Sequence, residues 1–193
     1  MDERDQAARG EEAAAAVARG SGLAIAFRPA DSADAPELGR LARLIWDEAY
    51  AGILERGQID YMLKRMYSPE RIAEELREGI AWCLIFLGGT SCGFLSYGPG
   101  GEGRAKIHKL YLAAPARGRG VASMAIARVE VWAREEGRDL LTLNVNRENH
   151  RAIRAYGKNG FRVERSEIFD IGDGYVMDDH IMVKPVPARA PRE

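Results

Sequence analysis

The sequence predicts one mixed α/β domain, and two observations support this. Strand-like and helix-like patterns alternate in the order strand, two or three helices, three strands, helix, strand, helix, and one or two final strands. A chain of 193 residues is also long enough for one domain with a substantial core. We place this domain at residues 22–185. Residues 1–21, rich in Ala, Glu, Arg and Gly, are predicted to be a disordered or weakly helical extension, and 186–193 a loose, proline-containing tail.

The first half of the domain is predicted to be a strand followed by helices. Residues 23–28 form the strand, and the segment from Asp31 can cap a helix whose first turn accommodates Pro36. Residues 59–66 suit a second short helix. Ser68, followed by a proline, is typical of the start of a third.

A run of three strands follows. Residues 80–87 and 91–97 form a hairpin through Gly88 and Gly89. The glycine-rich segment 98–103 precedes a strand at 105–112 rather than a helix, and it lacks the Lys-Ser/Thr ending of a phosphate loop. It is therefore interpreted as a hairpin connection.

The strand ending at Leu112 leads through Arg117, Gly118, Arg119 and Gly120 into a helix. Glycines allow a ligand to approach the backbone, and the helix start offers free N–H groups and a positive dipole end. Such a turn can hold a pyrophosphate, with arginines as additional donors. The pattern alone leaves acyl-CoA binding and a plain structural turn as alternatives.

A second block strengthens the case for a coenzyme site. Residues 139–146 alternate as a half-buried strand, and Asn149, Ala152 and Tyr156 then share one helix face. Gly160 suits the helix C-cap. Gly157 departs from the pattern, because glycine inside a helix costs about 1 kcal/mol relative to alanine.

These two blocks resemble the acetyl-CoA signatures of the GNAT N-acetyltransferase superfamily: Arg/Gln-x-x-Gly-x-Gly/Ala, followed by Asn-x-x-Ala-x-x-x-Tyr-x-x-x-Gly-Phe. The resemblance implies a mixed, mostly antiparallel sheet of six to seven strands with helices on both faces. It also implies that strands 105–112 and 139–146 splay apart to bind acetyl-CoA. The implied coenzyme-binding residues are Leu110, Tyr111, Leu112, Arg117, Gly118, Arg119, Gly120, Val121, Ala122, Asn149, Ala152 and Tyr156.

Acetyl transfer requires oxyanion stabilisation, an acid for the leaving thiolate and a base for the amine. The resemblance assigns the N–H of Leu112 to the first role and Tyr156 to the second; the alternative for Tyr156 is a core aromatic. His108 is our candidate base, although a satisfied strand histidine is the alternative. Asp47 and Glu48 are further candidates, which could also be solvated helix residues.

A finer resemblance concerns the acceptor. Residues 61–68, 106–111 and 172–179 are similar to bacterial diamine and polyamine acetyltransferases. This implies transfer to a primary amine of a small polyamine-like substrate, directly within a ternary complex. The candidate substrate-binding residues are Glu48, Tyr50, Asp178 and Asp179, although the aspartates could simply be turn residues. A protein, peptide or aminoglycoside acceptor and a non-catalytic acyl-CoA-binding module remain alternatives.

Composition excludes several other classes. The net charge of −1 and the scattered basic residues argue against nucleic acid, and no apolar run approaches the length of a membrane span. Cys83 and Cys92 are expected to be buried free thiols, which indicates a cytoplasmic protein. A Rossmann dehydrogenase would need its glycine turn after the first strand of a βαβ unit, whereas the turn here follows residue 110, so this class is set aside. No metal is expected, and a homodimer is compatible with the resemblance.

Overall fold

The computed structural model describes residues 18–20 and 23–187. Their strands form one sheet in the order β1-β2-β3-β4-β5-β6-β8-β7. The strands are β1 (Ala18–Gly20), β2 (Leu23–Pro29), β3 (Ala81–Leu87), β4 (Thr90–Pro99), β5 (Ala105–Leu112), β6 (Leu140–Asn146), β7 (Arg162–Gly172) and β8 (Tyr175–Pro185). The helices are α1 (Ala35–Ala49), α2 (Arg56–Met66), α3 (Pro69–Arg77), α4 (Val121–Glu135) and α5 (His150–Lys158).

The sheet is mixed and mostly antiparallel, as predicted. All neighbouring strands pair antiparallel except β5 and β6, which are parallel because α4 crosses between them. Seven strands begin at or after Leu23, and the short β1 adds an eighth from within the predicted extension. Residues 1–17 and 21 of that extension and 188–193 of the predicted tail lie outside the described residues. Val186, also assigned to the tail, is buried and donates its N–H to the carbonyl of Asp139 at 2.8 Å.

Two apolar cores lie on opposite faces of the sheet, as alternation along the strands requires. One contains Val121, Ala125 and Val129 of α4, and α5 packs against it. The other contains residues of α1, α2 and α3, with Trp46 and Trp82 fully buried. Helices therefore cover both faces.

The helix boundaries follow local capping chemistry. Ser68 accepts a hydrogen bond from the backbone N–H of Arg71 at 3.2 Å at the start of α3. Asp31 caps a short 3-10 turn, and α1 follows it with a proline in its first turn. Helix α5 continues through Gly157 to Lys158, and Gly160 adopts a φ of 86° after its end.

The feature that positions the site is the divergence of β5 from β6. Their parallel pairing runs only from Ala105 opposite Leu141 to Ile107 opposite Leu143. The next residue, His108, is the extra residue of a bulge, because Ile107 pairs with Tyr97 while Lys109 pairs with Ser96. A bulge bends its strand and interrupts pairing. Beyond it the two strands separate, which leaves a gap in the middle of the sheet.

Candidate active site

A cavity of about 520 Å³ lies in this gap, between the separated ends of β5 and β6 and beside α5 and the start of α4. Of the residues that the sequence predicted to bind coenzyme, all but Arg119 line it. These are Leu110, Tyr111, Leu112, Arg117, Gly118, Gly120, Val121, Ala122, Asn149, Ala152 and Tyr156. His108 and Tyr50 also line the cavity.

The loop before α4 presents bare backbone to the cavity. Gly120 is the N-cap of α4 with a φ of 78°, and Gly118 has a φ of 71°. A Cβ at either glycine would meet no atom within 4 Å. The positive φ and the open space leave the first N–H groups of α4 accessible, and an anion can bind there. This geometry fits a coenzyme pyrophosphate.

The two arginines of this loop contact protein atoms. Arg117 donates from Nε to the carbonyl of Leu112 at 2.8 Å and forms an ion pair with Glu48 of α1. Arg119 donates from Nε to the carbonyl of Pro115 at 2.8 Å. Arg151 of α5 lies 3.8 Å from the same Glu48 carboxylate. Glu48, predicted to bind substrate, is therefore held between two guanidinium groups, and Arg117 lowers its pKa.

The backbone of β5 faces the gap at alternate residues. Ala113 donates its N–H to the carbonyl of Cys92 on β4 at 2.8 Å. Because backbone groups alternate in direction along a strand, those of Leu110 and Leu112 point away from β4, towards the gap. They can therefore pair with a chain of amides such as pantetheine.

Tyr156 projects from α5 into the cavity. Asn149 caps this helix by accepting the N–H of Ala152 at 3.1 Å, so two residues of the second motif fix the helix start. The Tyr156 ring packs edge-on against Phe161 at 5.8 Å. Burial, and then the nearby Tyr50, raise the pKa of Tyr156, which keeps its phenol protonated.

Known proteins share this arrangement. The profile of the Acetyltransferase (GNAT) family matches residues 36–161, which include the glycine loop, the gap and Tyr156. The chain belongs to this GNAT family. It is therefore an N-acetyltransferase that uses acetyl-CoA as its co-substrate.

Individual relatives agree with this assignment. A spermidine N(1)-acetyltransferase of Thermoplasma acidophilum is 26% identical over 161 residues, covering 81% of this chain and 97% of the relative. The crystal structure of PaiA N-acetyltransferase from the same organism, in complex with coenzyme A, superposes with a TM-score of 0.70 at 26% identity, covering 83% of this chain and 98% of that one. A GCN5-related N-acetyltransferase from Rhodopseudomonas palustris has the same fold, with a TM-score of 0.70 at 19% identity over 89% of this chain and 98% of that one.

His108 of this GNAT transferase is half-buried at the bulge. Burial, followed by the charges of Lys106 and Lys109, lowers its pKa to about 4. Its Nε2 is buried and has no hydrogen-bond partner in the part of the chain that the structure describes. The imidazole is therefore neutral at physiological pH, and it is a weak base.

The two predicted substrate-binding aspartates differ sharply. Asp178 pairs with Arg147 at 3.2 Å and is half-exposed. Asp179 is only 7% exposed, and its Oδ1 lacks a hydrogen-bond partner within residues 18–20 and 23–187. Burial raises the pKa of Asp179 to about 6, opposed by a hydrogen bond from Asn144 and by the charge of Lys106.

Sequence reasoning missed Asn144 and Lys106 as site residues. Asn144 lines the cavity, and Lys106 is the charged group with the largest effect on the pKa of Asp179. The available signal was the polar face of β6, where Thr142, Asn144 and Asn146 alternate with apolar residues. The sequence could not show that this face meets Asp179, since their contact depends on the pairing of β6 with β8.

Between Ala18 and Pro187, the residues whose placement is described contain no group of His, Cys, Asp and Glu side chains arranged to hold a metal. The helices found there include none that is long and apolar enough to cross a membrane.

Proposed function

We propose that this transferase acetylates a primary amine of a small polyamine-like substrate, by direct attack on acetyl-CoA within a ternary complex. The observation that carries the choice of acceptor is the docking of the β7–β8 hairpin on α2. The similarity to a spermidine N(1)-acetyltransferase supports it.

The hairpin fills the space that a peptide acceptor would need. Gln58 donates from Nε2 to the carbonyl of Val176 at 2.6 Å, and the Tyr61 hydroxyl donates to the carbonyl of Ile171 at 2.7 Å. The rings of Tyr61 and Tyr175 lie 5.5 Å apart. These contacts join α2 to the hairpin tip across the space between the first helices and the final strands, which supports the proposal of a small acceptor.

The cysteines support direct transfer rather than an acetyl-cysteine intermediate. Burial raises the pKa of the Cys83 thiol and raises that of Cys92 to about 11, so neither is a thiolate at neutral pH. Neither lines the cavity. An amine can instead approach the thioester from the α1 side of the gap.

The proposed reaction uses groups already described. The backbone of Leu110 and Leu112 aligns the pantetheine arm, and the N–H of Leu112 stabilises the oxyanion that forms when the amine attacks the thioester carbonyl. As the tetrahedral intermediate collapses, Tyr156 donates a proton to the departing thiolate. The phenol is suited to this because it is protonated and lines the cavity.

The test is thiol release from acetyl-CoA with a panel of spermidine, spermine, putrescine, lysine peptides and aminoglycosides. We expect turnover with at least one of the three aliphatic polyamines and little with the peptides. Preferential turnover of a peptide or an aminoglycoside would contradict the acceptor class. No turnover with any amine, while acetyl-CoA still raises the melting temperature, would favour a non-catalytic module.

A further inference from the structure

We propose that Asp179 is the catalytic base that takes the proton from the acceptor amine. The proposal rests on the proposed function, because only a basic amine needs such a group. An alkylamine has a pKa near that of lysine, about 10.4, so it arrives as an ammonium ion and cannot attack a carbonyl until it loses a proton. A side chain that is exposed to solvent, or that already forms an ion pair, is poorly suited to accept this proton.

The position of Asp179 is the first argument. It lies on β8 opposite Asn146, at the end of β6 that borders the open part of the gap. Asn144, two residues before Asn146 on β6, lines the cavity, and its side chain lowers the pKa of Asp179. Tyr50 also lines the cavity, and the charge of Asp179 contributes to its raised pKa. Asp179 does not itself line the cavity, so one water molecule relays the proton from the ammonium ion to its carboxylate.

The unused oxygen is the second argument. Oδ1 of Asp179 is buried and accepts no hydrogen bond from the residues that the structure describes. A buried carboxylate oxygen without a donor is costly in an isolated protein. The acceptor amine would remove this cost by donating a hydrogen bond to Oδ1, either from its ammonium group or through a bridging water molecule.

The charges around Asp179 set its basicity. Lys106 from β5 stabilises the carboxylate, while the adjacent Asp178 and the burial of the site disfavour its charge. Glu167 of β7 is its register partner, but this side chain is exposed and pairs with Arg165 at 3.3 Å. With a pKa raised to about 6, Asp179 is ionised at neutral pH and is a stronger base than an ordinary carboxylate.

The competing candidates are weaker bases or are engaged. His108 has a pKa lowered to about 4. Glu48 has a lowered pKa because Arg117 holds it. Burial raises the proton affinity of Asp179, whereas the pKa values of His108 and Glu48 are lowered.

The proton balance closes with the residues named. The ammonium gives one proton to Asp179, and the free amine forms the C–N bond as the thioester π electrons move to oxygen. Collapse breaks the C–S bond, the thiolate takes the Tyr156 proton, and the second nitrogen proton returns to Tyr156. Asp179 then releases its proton to solvent, so one proton is produced for each acetyl group transferred.

The experiment compares Asp179→Asn, Asp179→Glu and the control Glu167→Gln, which removes a carboxylate from the adjacent strand. For each protein, kcat is measured from pH 5 to pH 9 with the best polyamine of the panel and with a weakly basic aromatic amine, which arrives uncharged. We expect wild-type kcat to fall as the pH drops through about 6. Asp179→Asn should lower kcat for the polyamine about 100-fold and remove this acidic limb.

Two further results separate a base from a binding group. The aromatic amine should lose much less than the polyamine in Asp179→Asn, because it has no proton to give before attack. Asp179→Glu should retain the acidic limb and part of the rate, and Glu167→Gln should match wild type. Equal losses for the two amines, or an unchanged limb in Asp179→Asn, would overturn the role of Asp179 alone.

Melting temperature gives a readout that does not depend on turnover. The pKa of Asp179 is raised in the folded state, so its stabilising effect is complete below pH 3.8 and is lost as the pH rises to about 6. The melting temperature of Asp179→Asn relative to wild type should therefore increase between pH 4 and pH 7. A flat difference would overturn the assigned ionisation. An absence of turnover by wild type with any amine would instead overturn the proposed function.

Discussion

Three tyrosine hydroxyls meet at the cavity, and their environments differ from those of ordinary surface phenols. The hydroxyls of Tyr50 and Tyr111 lie 3.3 Å apart. The nearby Tyr50 raises the pKa of Tyr156, and Tyr156 in turn raises the pKa of Tyr111. Burial raises the pKa of all three. The cluster therefore stays neutral and can donate hydrogen bonds to an anion that forms between the strands.

The acid role proposed for Tyr156 leads to a prediction at the residue scale. Tyr156→Phe removes the hydroxyl but keeps the ring against Phe161, so kcat should fall about 100-fold while acetyl-CoA affinity changes little. The measurement is kcat at saturating substrate together with calorimetric coenzyme binding. Tyr97→Phe is the matched control, because Tyr97 packs against Trp132 outside the cavity and should leave kcat unchanged. Full kcat in Tyr156→Phe, with chemistry rate-limiting, would rule out the acid role.

Residues at fixed spacing were predictable, whereas partners distant in sequence were not. Gly118, Gly120 and Tyr156 were predicted from a local pattern of glycines and helix periodicity, and all three line the cavity. The ion pair between Arg117 and Glu48 joins residues 69 positions apart. No local pattern encodes that contact, so the sequence analysis assigned Arg117 to the coenzyme and Glu48 to the amine, while the structure places them against each other.

At the scale of elements, β5 is held by a buried charge network immediately after its bulge. Lys109 donates from Nζ to both carboxylate oxygens of Glu75 on α3, at 2.8 and 2.9 Å, and lies 4.6 Å from the Trp82 ring. Trp82 donates to the same carboxylate at 3.0 Å, and Arg71 lies 3.2 Å from it. The network fixes α3 to the strand that opens the gap.

Removal of one partner from this network should be costly. Lys109→Met leaves the Glu75 carboxylate buried without its closest cation, and we expect a loss of about 3 kcal/mol in the free energy of unfolding. The double variant Lys109→Met/Glu75→Leu should recover most of that loss, since both charges are gone. Urea denaturation measures both. Arg43→Met, which breaks the exposed pair with Asp60, is the control and should cost less than about 1 kcal/mol. An equal cost for buried and exposed pairs would contradict this interpretation.

The element order was predicted from the sequence because strand alternation and helix caps are local. The bulge was missed, although the sequence contains a trace of it. Ile107 and Leu110 are three residues apart, yet both pack on the α4 face of the sheet. Strict alternation would place them on opposite faces, so an extra residue must lie between them. Two apolar residues three apart in a short strand could equally indicate a helix turn, and the pattern alone could not separate these cases.

Across the whole molecule, the two halves of the sheet are joined weakly at the site. Beyond the three parallel residue pairs of β5 and β6, the strands separate, and α4 and α5 lie on either side of the gap. A coenzyme in the cavity contacts both halves at once. It should therefore stabilise the entire fold and not only one loop, since a ligand that binds the folded state alone raises its stability by mass action.

This coupling gives the last prediction. At 100 times its dissociation constant, acetyl-CoA should stabilise the wild-type protein by about 2.7 kcal/mol, which raises the melting temperature by about 5–10 °C. Gly120→Asp should abolish that increase, because a carboxylate would repel the pyrophosphate and a side chain at a φ of 78° strains the helix start. Scanning calorimetry with and without acetyl-CoA measures the effect.

The control is Gly137→Asp, at the other end of α4. Gly137 has a φ of 66° and open space around its Cβ position, so the substitution imposes similar backbone strain far from the glycine loop. A carboxylate near a helix C-terminus is also unfavourable, so this variant should be the less stable of the two without coenzyme. It should nevertheless keep the full increase with acetyl-CoA. A lost increase in Gly137→Asp, or a retained one in Gly120→Asp, would contradict pyrophosphate binding at the start of α4.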